Sequence, residues 1–254
     1  MPLYFSLGLN PYFIVGVTIV LALLIALRIY KERRNLNERL SESFYAPKIK
    51  VLEGIDEIDW SALCHAYGEA SNIPILLAAT FSDNERKREF AFRELFETIW
   101  HQGTVYEASA YAIPFLLKTL ESPETPDKTS VAILLACLAN GHSYLEVHAA
   151  NEEDRSVWRE IFAKDNRDLD TETAKQIEHV NNARMAVSKG LHLLYPYLKD
   201  ENASGDIAKA LALYPERKAE IIPLLESAQD SIQDEFSKEE IQSALAKLRG
   251  NSES

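Results

Sequence analysis

Apolar residues recur at intervals of three and four through most of the chain from Ile58 onward, with polar residues between them. This spacing places the apolar side chains on one face of a helix, and no stretch alternates long enough to predict a strand. Glycine, proline or short polar segments separate successive runs. The pattern predicts an all-α body over residues 57–249, followed by a disordered tail at 250–254.

The clearest junction in this pattern lies between Trp100 and Leu117. Gly103 follows an apolar helical run, at the position where a left-handed residue commonly ends a helix. Thr104 and Glu107 have the spacing of a capping box, in which each side chain accepts the backbone N–H of the other residue. We therefore predict that Thr104 begins a second helix and that the two helices form a hairpin with almost no loop.

Residues 12–27 form an uncharged apolar segment, and its extension through Arg28 to Tyr30 gives 19 residues. A helix over residues 12–30 is roughly 28 Å long at a rise of about 1.5 Å per residue, close to the hydrocarbon thickness of a bilayer. A buried core helix is seldom so long and free of charge. A cleaved signal peptide needs a basic start and small residues after its apolar core. Residues 1–11 contain no basic residue, and a charged segment follows the apolar core instead of small residues. We predict a single transmembrane helix, with residues 1–30 as the anchor.

Four basic residues and one glutamate follow the anchor between Arg28 and Arg34. The positive-inside rule places this side of the membrane, and with it the C-terminal domain, in the cytoplasm. Cys64 and Cys137 lie in apolar helical runs, where reduced buried thiols are expected. The predicted localisation is therefore a single-pass membrane protein with a cytoplasmic body.

Residues 31–56 are predicted to form a juxtamembrane helix and a linker. Leu36, Leu40 and Phe44 recur every four residues among charged side chains, which indicates an amphipathic helix. Its apolar face has three possible contacts: a second copy of the chain, the body, or the membrane surface. Ala46 and Pro47 then break the helix.

A polar insert is predicted at about 142–170, with a surface helix that docks Val157, Trp158, Ile161 and Phe162. His142, Glu146 and His148 in this insert are either metal ligands or exposed polar residues, and their spacing matches no strong metal motif. The sequence therefore predicts no metal site.

Two further groupings are candidates for catalysis. His101 with Glu107 is either an acid–base pair or a set of helix caps, and a capping box already uses the glutamate. Cys64 and His65 are adjacent in a predicted helix, so their side chains point in different directions. No phosphate loop, dinucleotide fingerprint, serine elbow or paired-cysteine motif occurs. We predict neither a catalytic site nor a cofactor.

Short motifs recur along the chain at intervals near 40 residues. The tripeptide at 69–71 returns at 107–109, and the Ile-Pro motif at 73–77 returns at 113–117 and again at Ile222. Periods near 40 with two helices per unit are typical of stacked helical hairpins, because one hairpin cannot bury its own apolar face. The motifs therefore predict a HEAT-like α-solenoid.

The same motifs carry a resemblance to bacterial HEAT-repeat proteins of mostly unassigned function. The similar segments are residues 101–108, 113–117, 139–141, 186–191, 195–198 and 210–216. The resemblance covers roughly residues 58–248, and it implies a HEAT-like solenoid that serves as an interaction scaffold. It also implies that such a protein can be the immunity partner of a secreted bacterial toxin. The N-terminal anchor is a departure from the usual soluble form.

The charge of the chain narrows the class of partner. The net charge is −12, and residues 35–254 alone carry −15, because the basic cluster lies before them. Such a body repels phosphate backbones, so we expect no nucleic-acid partner. A basic protein partner and a merely solvated acidic surface both remain open.

Tyr106 and Tyr111 are the predicted partner-binding residues, since a tyrosine offers both packing area and a hydroxyl. The predicted function is non-catalytic binding of a protein partner at the cytoplasmic face of the membrane. The alternatives are an immunity-type protein that neutralises a bacterial toxin, a HEAT-repeat lyase-like enzyme, and a structural scaffold that self-associates through Leu36, Leu40 and Phe44.

Overall fold

The computed structural model describes residues 49–250, and they are mostly helical, as the sequence predicts. In chain order the α-helices are α1 Ile73–Ala79, α2 Glu85–Thr98, α3 Glu107–Glu121, α4 Lys128–Asn140, α5 Tyr144–His148, α6 Glu152–Ala163, α7 Leu169–Ser188, α8 Ser204–Leu211, α9 Lys218–Ser231 and α10 Glu235–Arg249. Short 3₁₀ segments cover Lys50–Leu52, Ile55–Glu57, Trp60–Ala62, Leu191–Lys199 and Pro215–Arg217.

The first 3₁₀ segments belong to the packed body. Leu52 and Ile55 are buried, and the indole Nε1 of Trp60 donates to the carbonyl of Ile55 over 2.8 Å. The Trp60 ring lies 6.5 Å from the ring of Phe115 in α3. Part of the segment 31–56 that the sequence assigns to a linker therefore packs against the helices.

Several consecutive helices pack on each other, and contacts between helices distant in sequence join them. Helix α1 contacts α2, and α3 contacts α4; helix α7 then lies against both α3 and α4, and α8 lies against α4 and α10. Helix α4 is buried almost all round from Val131 to Ala139, as expected for a helix with neighbours on every side. The core therefore runs through α4 and places α3 and α7 side by side.

Two antiparallel hairpins interrupt the helices, so the prediction of a purely helical body is wrong in detail. Strand β1, Cys64–His65, pairs with β2, Gly68–Glu69; strand β3, Trp100–His101, pairs with β4, Thr104–Val105. Each strand has only two residues, too few for an alternating pattern to be recognised in the sequence. The predicted helical hairpin at residues 100–117 is therefore a helix, a β-hairpin and a helix.

The repeated motifs differ in their structural settings. Residues 69–71 end β2 and lead into α1, whereas residues 107–109 lie inside α3. Pro74 is in the first turn of α1, whereas Pro114 and Pro223 lie inside α3 and α9. The repeats thus mark similar sequences in non-equivalent positions of the helices.

The insert has its own small core and docks fewer side chains than predicted. Phe162 packs with Leu145, Ala149 and Leu169, with Trp158 half-buried against them. Val157 and Ile161, which the sequence predicts to be docked, are 54% and 40% exposed.

Several predictions fall on residues outside the described part of the chain. These are the anchor at residues 1–30 with its span 12–30, the self-association residues Leu36, Leu40 and Phe44, and residues 251–254 of the tail. Within residues 49–250, the structure contains no helix with the length and apolar character that a membrane crossing requires.

Candidate protein-binding surface

A tight turn at Gln102 and Gly103 shapes the surface beside α3. Their φ angles are 50° and 91°, and His101 pairs with Thr104 across them. Two central residues with positive φ define a type I′ turn, the usual two-residue link between antiparallel strands. The left-handed conformation predicted for Gly103 is confirmed, but it closes a β-hairpin and does not end a helix.

The predicted capping box of Thr104 and Glu107 is wrong. Thr104 lies in β4, and the residue that precedes α3 is Tyr106. The Oγ of Ser109 accepts the backbone N–H of Tyr106 over 2.8 Å and donates to the carbonyl of Ile99 over 2.6 Å. One serine thus fixes both the start of α3 and the end of the preceding helix, which leaves the carboxylate of Glu107 available at the surface.

The segment after α4 completes the β-hairpin. The N–H of His142 donates to the carbonyl of Gly103 over 2.9 Å, and the N–H of Val105 donates to the carbonyl of His142 over 3.2 Å. The imidazole of His142 covers Gly103 so closely that a Cβ there would lie 2.3 Å from its Cε1. Gly103 is therefore required for two reasons, its positive φ and this contact.

Arg184 of α7 holds the same segment in place. Its Nε donates to the carbonyl of Ala139 and its Nη2 donates to that of Gly141, each over 3.2 Å. A guanidinium at the C-terminus of a helix satisfies the last carbonyls and is favoured by the helix dipole. The carbonyl of Arg184 accepts the Tyr214 hydroxyl over 2.9 Å. These bonds fix α4 and α7 relative to the β-hairpin.

Tyr67, His101 and Glu97 meet at the side of this β-hairpin. The Tyr67 hydroxyl donates to Oε2 of Glu97 over 3.1 Å and lies 3.3 Å from Nδ1 of His101. Nδ1 of His101 is 3.4 Å from the same carboxylate oxygen. The two rings meet edge to face with their centroids 5.3 Å apart, and Tyr67 is 53% exposed. This group presents aromatic area and polar atoms to solvent.

Tyr106 is close enough to Tyr67 and Tyr144 for both to act on its hydroxyl. It is half-buried, and burial, with smaller contributions from Tyr67 and Tyr144, raises the pKa of its hydroxyl to about 12. Tyr144 is exposed and stacks on His148 with ring centroids 4.1 Å apart. We call Tyr67, His101, Tyr106, Tyr144 and His148 the aromatic face.

A furrow of about 300 Å³ is lined by Glu107, the residue that follows Tyr106 in the chain. One wall is the stripe of α3 formed by Glu107, Ala110 and Tyr111. The other wall is the stripe of α7 formed by Lys175, Glu178, His179 and Asn182. Both sets have spacings of three and four residues, which place each set on one side of its helix. Tyr111 is 45% exposed at the edge of the furrow.

The furrow carries an excess of negative charge. Lys175 is paired with Glu172 over 2.9 Å, and hydrogen bonds from Arg167 and Lys175 lower the pKa of Glu172 to about 2. Burial lowers the pKa of His179 below 6.5, although Glu107 and Glu178 oppose this, so the imidazole is neutral at pH 7. Within residues 49–250, the carboxylates of Glu107 and Glu178 make no hydrogen bond or ion pair.

The two predicted partner-binding residues fall in neighbouring parts of this surface. Tyr111 lines the furrow, and Tyr106 belongs to the aromatic face. The α7 wall was missed because its residues lie more than 60 positions further along the chain, and only the packing of α3 on α7 brings them together. An acidic and polar stripe at helical spacing, Glu178 and Asn182, was the available signal.

The other candidate groupings are not brought together. His101 contacts Glu97, whereas Glu107 faces His179. His142 covers Gly103 and His148 stacks on Tyr144, and no three potential metal ligands converge within the described residues. Cys64 is exposed and His65 is buried, because neighbouring residues of a strand face opposite sides.

Three comparisons of the chain, with models of protein families, with curated proteins and with solved structures, found no match.

Proposed function

We propose that this protein is a membrane-anchored, HEAT-like helical-repeat protein that binds a protein partner without catalysing a reaction. The anchor is the apolar segment at residues 12–30, and the body lies at the cytoplasmic face. The single observation that carries the proposal is the exposed aromatic face with the adjoining furrow, positioned on packed helices. Tyrosine supplies large contact area at low entropic cost and recurs where proteins bind one another.

The order of the helices supports the HEAT-like part of this proposal. Helices α1 and α2, α3 and α4, and α9 and α10 pack on each other as consecutive pairs, as in the helical hairpins from which such repeats are built. In such stacks, partners bind along a surface formed by several units. The furrow has this character, because its two walls come from helices that are distant in sequence.

A toxin neutralised at the membrane is the version of this function that the resemblance suggests. The acidic body is suited to a basic toxin domain, because opposite charge speeds the encounter of two proteins. In this version the partner is a secreted toxin, and we expect the toxin to lose its activity when it is mixed with this protein.

Site-specific photo-cross-linking in native membranes tests the proposal. Benzoylphenylalanine replaces Tyr111 or Tyr67 in the full chain, and the matched control carries it at Phe236, an aromatic residue of α10 that is 60% exposed. We expect both tyrosine positions to capture one and the same protein and the Phe236 position not to capture it. Equal capture at all three positions, or none at the tyrosines, contradicts the proposal.

Tyr111→Ala is the variant that separates binding from folding. Its side chain is half-exposed and has no hydrogen bond within the described residues, so its loss should cost little stability. Tyr106 is half-buried, so Tyr106→Phe is the better variant there, since it keeps the packing of the ring. Tyr111→Ala should reduce cross-linking at Tyr67, whereas Phe236→Ala should leave it unchanged.

A further inference from the structure

We infer that the furrow between α3 and α7 binds an arginine side chain of the partner protein. The inference rests on the proposed function, since it names the chemistry of the group that the partner presents. It concerns the seven residues that line the furrow and does not involve the aromatic face.

The first argument is the pair of unpartnered carboxylates. Glu107 and Glu178 face the furrow from opposite walls, and neither carboxylate makes a hydrogen bond or ion pair within residues 49–250. The one lysine in the lining is bound to Glu172, and His179 is neutral at pH 7 because burial lowers its pKa. A cation that enters the furrow therefore meets two carboxylates from opposite walls, and the charge of Lys175 is offset by its ion pair with Glu172.

The second argument is the shape of the acceptors. A guanidinium is planar and carries five N–H donors in a fork, which suits acceptors that surround it. Besides the carboxylates, the furrow is lined by Asn182, whose side-chain amide carries a further oxygen acceptor.

The third argument is the exposed ring of Tyr111 at the edge. Arginine stacks on tyrosine through its flat guanidinium, and this contact strengthens as water is excluded. Ala110 lines the furrow between Glu107 and Tyr111, and its small side chain leaves room for the aliphatic part of an arginine. A lysine ammonium carries only a point charge and gains less from this arrangement.

The experiment is an NMR titration of the full chain in neutral detergent micelles. The probe is the peptide acetyl-Gly-Arg-Gly-amide, and its counterparts contain lysine or the neutral isostere citrulline. The chain carries ¹³C-labelled tyrosine, and Tyr111→Phe identifies the Tyr111 ring signals. We expect saturable shifts of Tyr111 with the arginine peptide, weaker binding of the lysine peptide, and no shift with citrulline.

Two variants test the furrow itself. Glu107→Gln with Glu178→Gln should weaken the arginine peptide by at least about tenfold, because two charged acceptors are replaced by neutral ones. Ala110→Leu fills the furrow without changing its charge and should abolish the shift. Glu124→Gln with Glu239→Gln removes two charges from exposed residues outside the furrow and should leave the binding unchanged. Unchanged tyrosine signals outside the furrow show that each variant is folded.

The results separate this inference from the proposed function. If the arginine, lysine and citrulline peptides shift Tyr111 alike, or if the double glutamine variant binds as the parent does, the arginine site is wrong. Cross-linking at Tyr111 then still decides whether a partner binds there. A saturable arginine site without any cross-linked protein supports the furrow and contradicts the wider proposal.

Discussion

At one position of this surface, both the backbone conformation and a neighbouring side chain require a glycine. Gly103 has to adopt a positive φ and also has to lack a Cβ, because the ring of His142 covers it. Gly54 has nearly the same φ, 90°, but its nearest neighbour would lie 4.0 Å from an added Cβ. A comparison of alanine variants at the two glycines therefore separates the strain of a positive φ from the steric clash with His142.

Gly103→Ala should destabilise the protein more than Gly54→Ala. Both variants incur the strain of a left-handed residue, about 1–2 kcal/mol, and Gly103→Ala in addition displaces His142, for a further cost of about 1–2 kcal/mol. Urea denaturation of the two variants measures the difference in the free energy of unfolding. Equal losses would show that His142 moves aside without cost.

His65 couples the β1–β2 hairpin to pH. Its Nδ1 accepts the N–H of Tyr67 over 3.0 Å, and its Nε2 lies 3.0 Å from Oδ1 of Asn72. Burial lowers its pKa below the ordinary 6.5, although the bond to Asn72 opposes this. The folded state therefore binds this proton less readily than the unfolded state does.

Stability should consequently fall as the pH drops below about 6.5, since the unfolded chain then takes up protons that the folded chain refuses. His65→Gln removes this contribution and should flatten the dependence between pH 7 and the lowered pKa without abolishing it, because burial lowers the pKa of His179 as well. Thermal melts over this pH range measure the slope. His192→Gln, at an exposed position, is the control and should retain it.

At the scale of elements, the sequence was informative about helices and poor about the segments between them. Thr104 and Glu107 match a capping box as well as any pair in the chain, yet the backbone bonds of His142 recruit Thr104 into a strand. Those bonds come from a residue almost forty positions away, so local spacing cannot reveal them. The pair Gln102-Gly103 was the local signal, since a glycine at the second position suits a type I′ turn.

The insert shows the same limit. Helical spacing predicts that four side chains of α6 are docked, but Val157 and Ile161 are exposed and only Phe162 and part of Trp158 are buried. Phe162 is 8% exposed and belongs to the separate cluster of the insert, whereas Val157 is 54% exposed.

Phe162→Ala should therefore loosen α6, with a loss of about 3 kcal/mol. Amide hydrogen exchange in α6 should accelerate by about two orders of magnitude, because exchange follows local opening. Val157→Lys with Ile161→Lys is the matched variant and should cost about 0.5 kcal/mol or less per site. Similar acceleration in both variants would place Val157 and Ile161 in the packed interior. Exchange in α10, remote from the insert, should stay unchanged.

The whole molecule combines a predicted anchor with a body whose core runs through α4. The helical class of the body was predictable because long periodic runs dominate the sequence. The α3 wall of the furrow was partly predictable, since Tyr111 can be recognised in the sequence as an aromatic residue suited to binding a partner. The α7 wall was not, because the packing of α3 on α7 depends on long-range contacts rather than on spacing.

The full chain should sediment with membranes and remain there in high salt and alkaline carbonate, as expected for a spanning helix. A chain of residues 45–254 should appear in the supernatant with its far-ultraviolet helical signal intact. Replacing Ile19 and Leu23 with lysine in the full chain should likewise release it, because charges at the centre of a span cost about 2.5–3.5 kcal/mol each. Retention of the 45–254 chain on membranes would show that the body itself binds them.

The furrow has a consequence for the making of the protein. Its α3 wall is synthesised first, and its α7 wall is complete only when Asn182 has been added. A chain that ends between Tyr111 and Lys175 contains the α3 wall but lacks the α7 wall. On the proposed function, such a fragment should not compete with the full chain for the partner, whereas a chain that ends after Asn182 contains both walls.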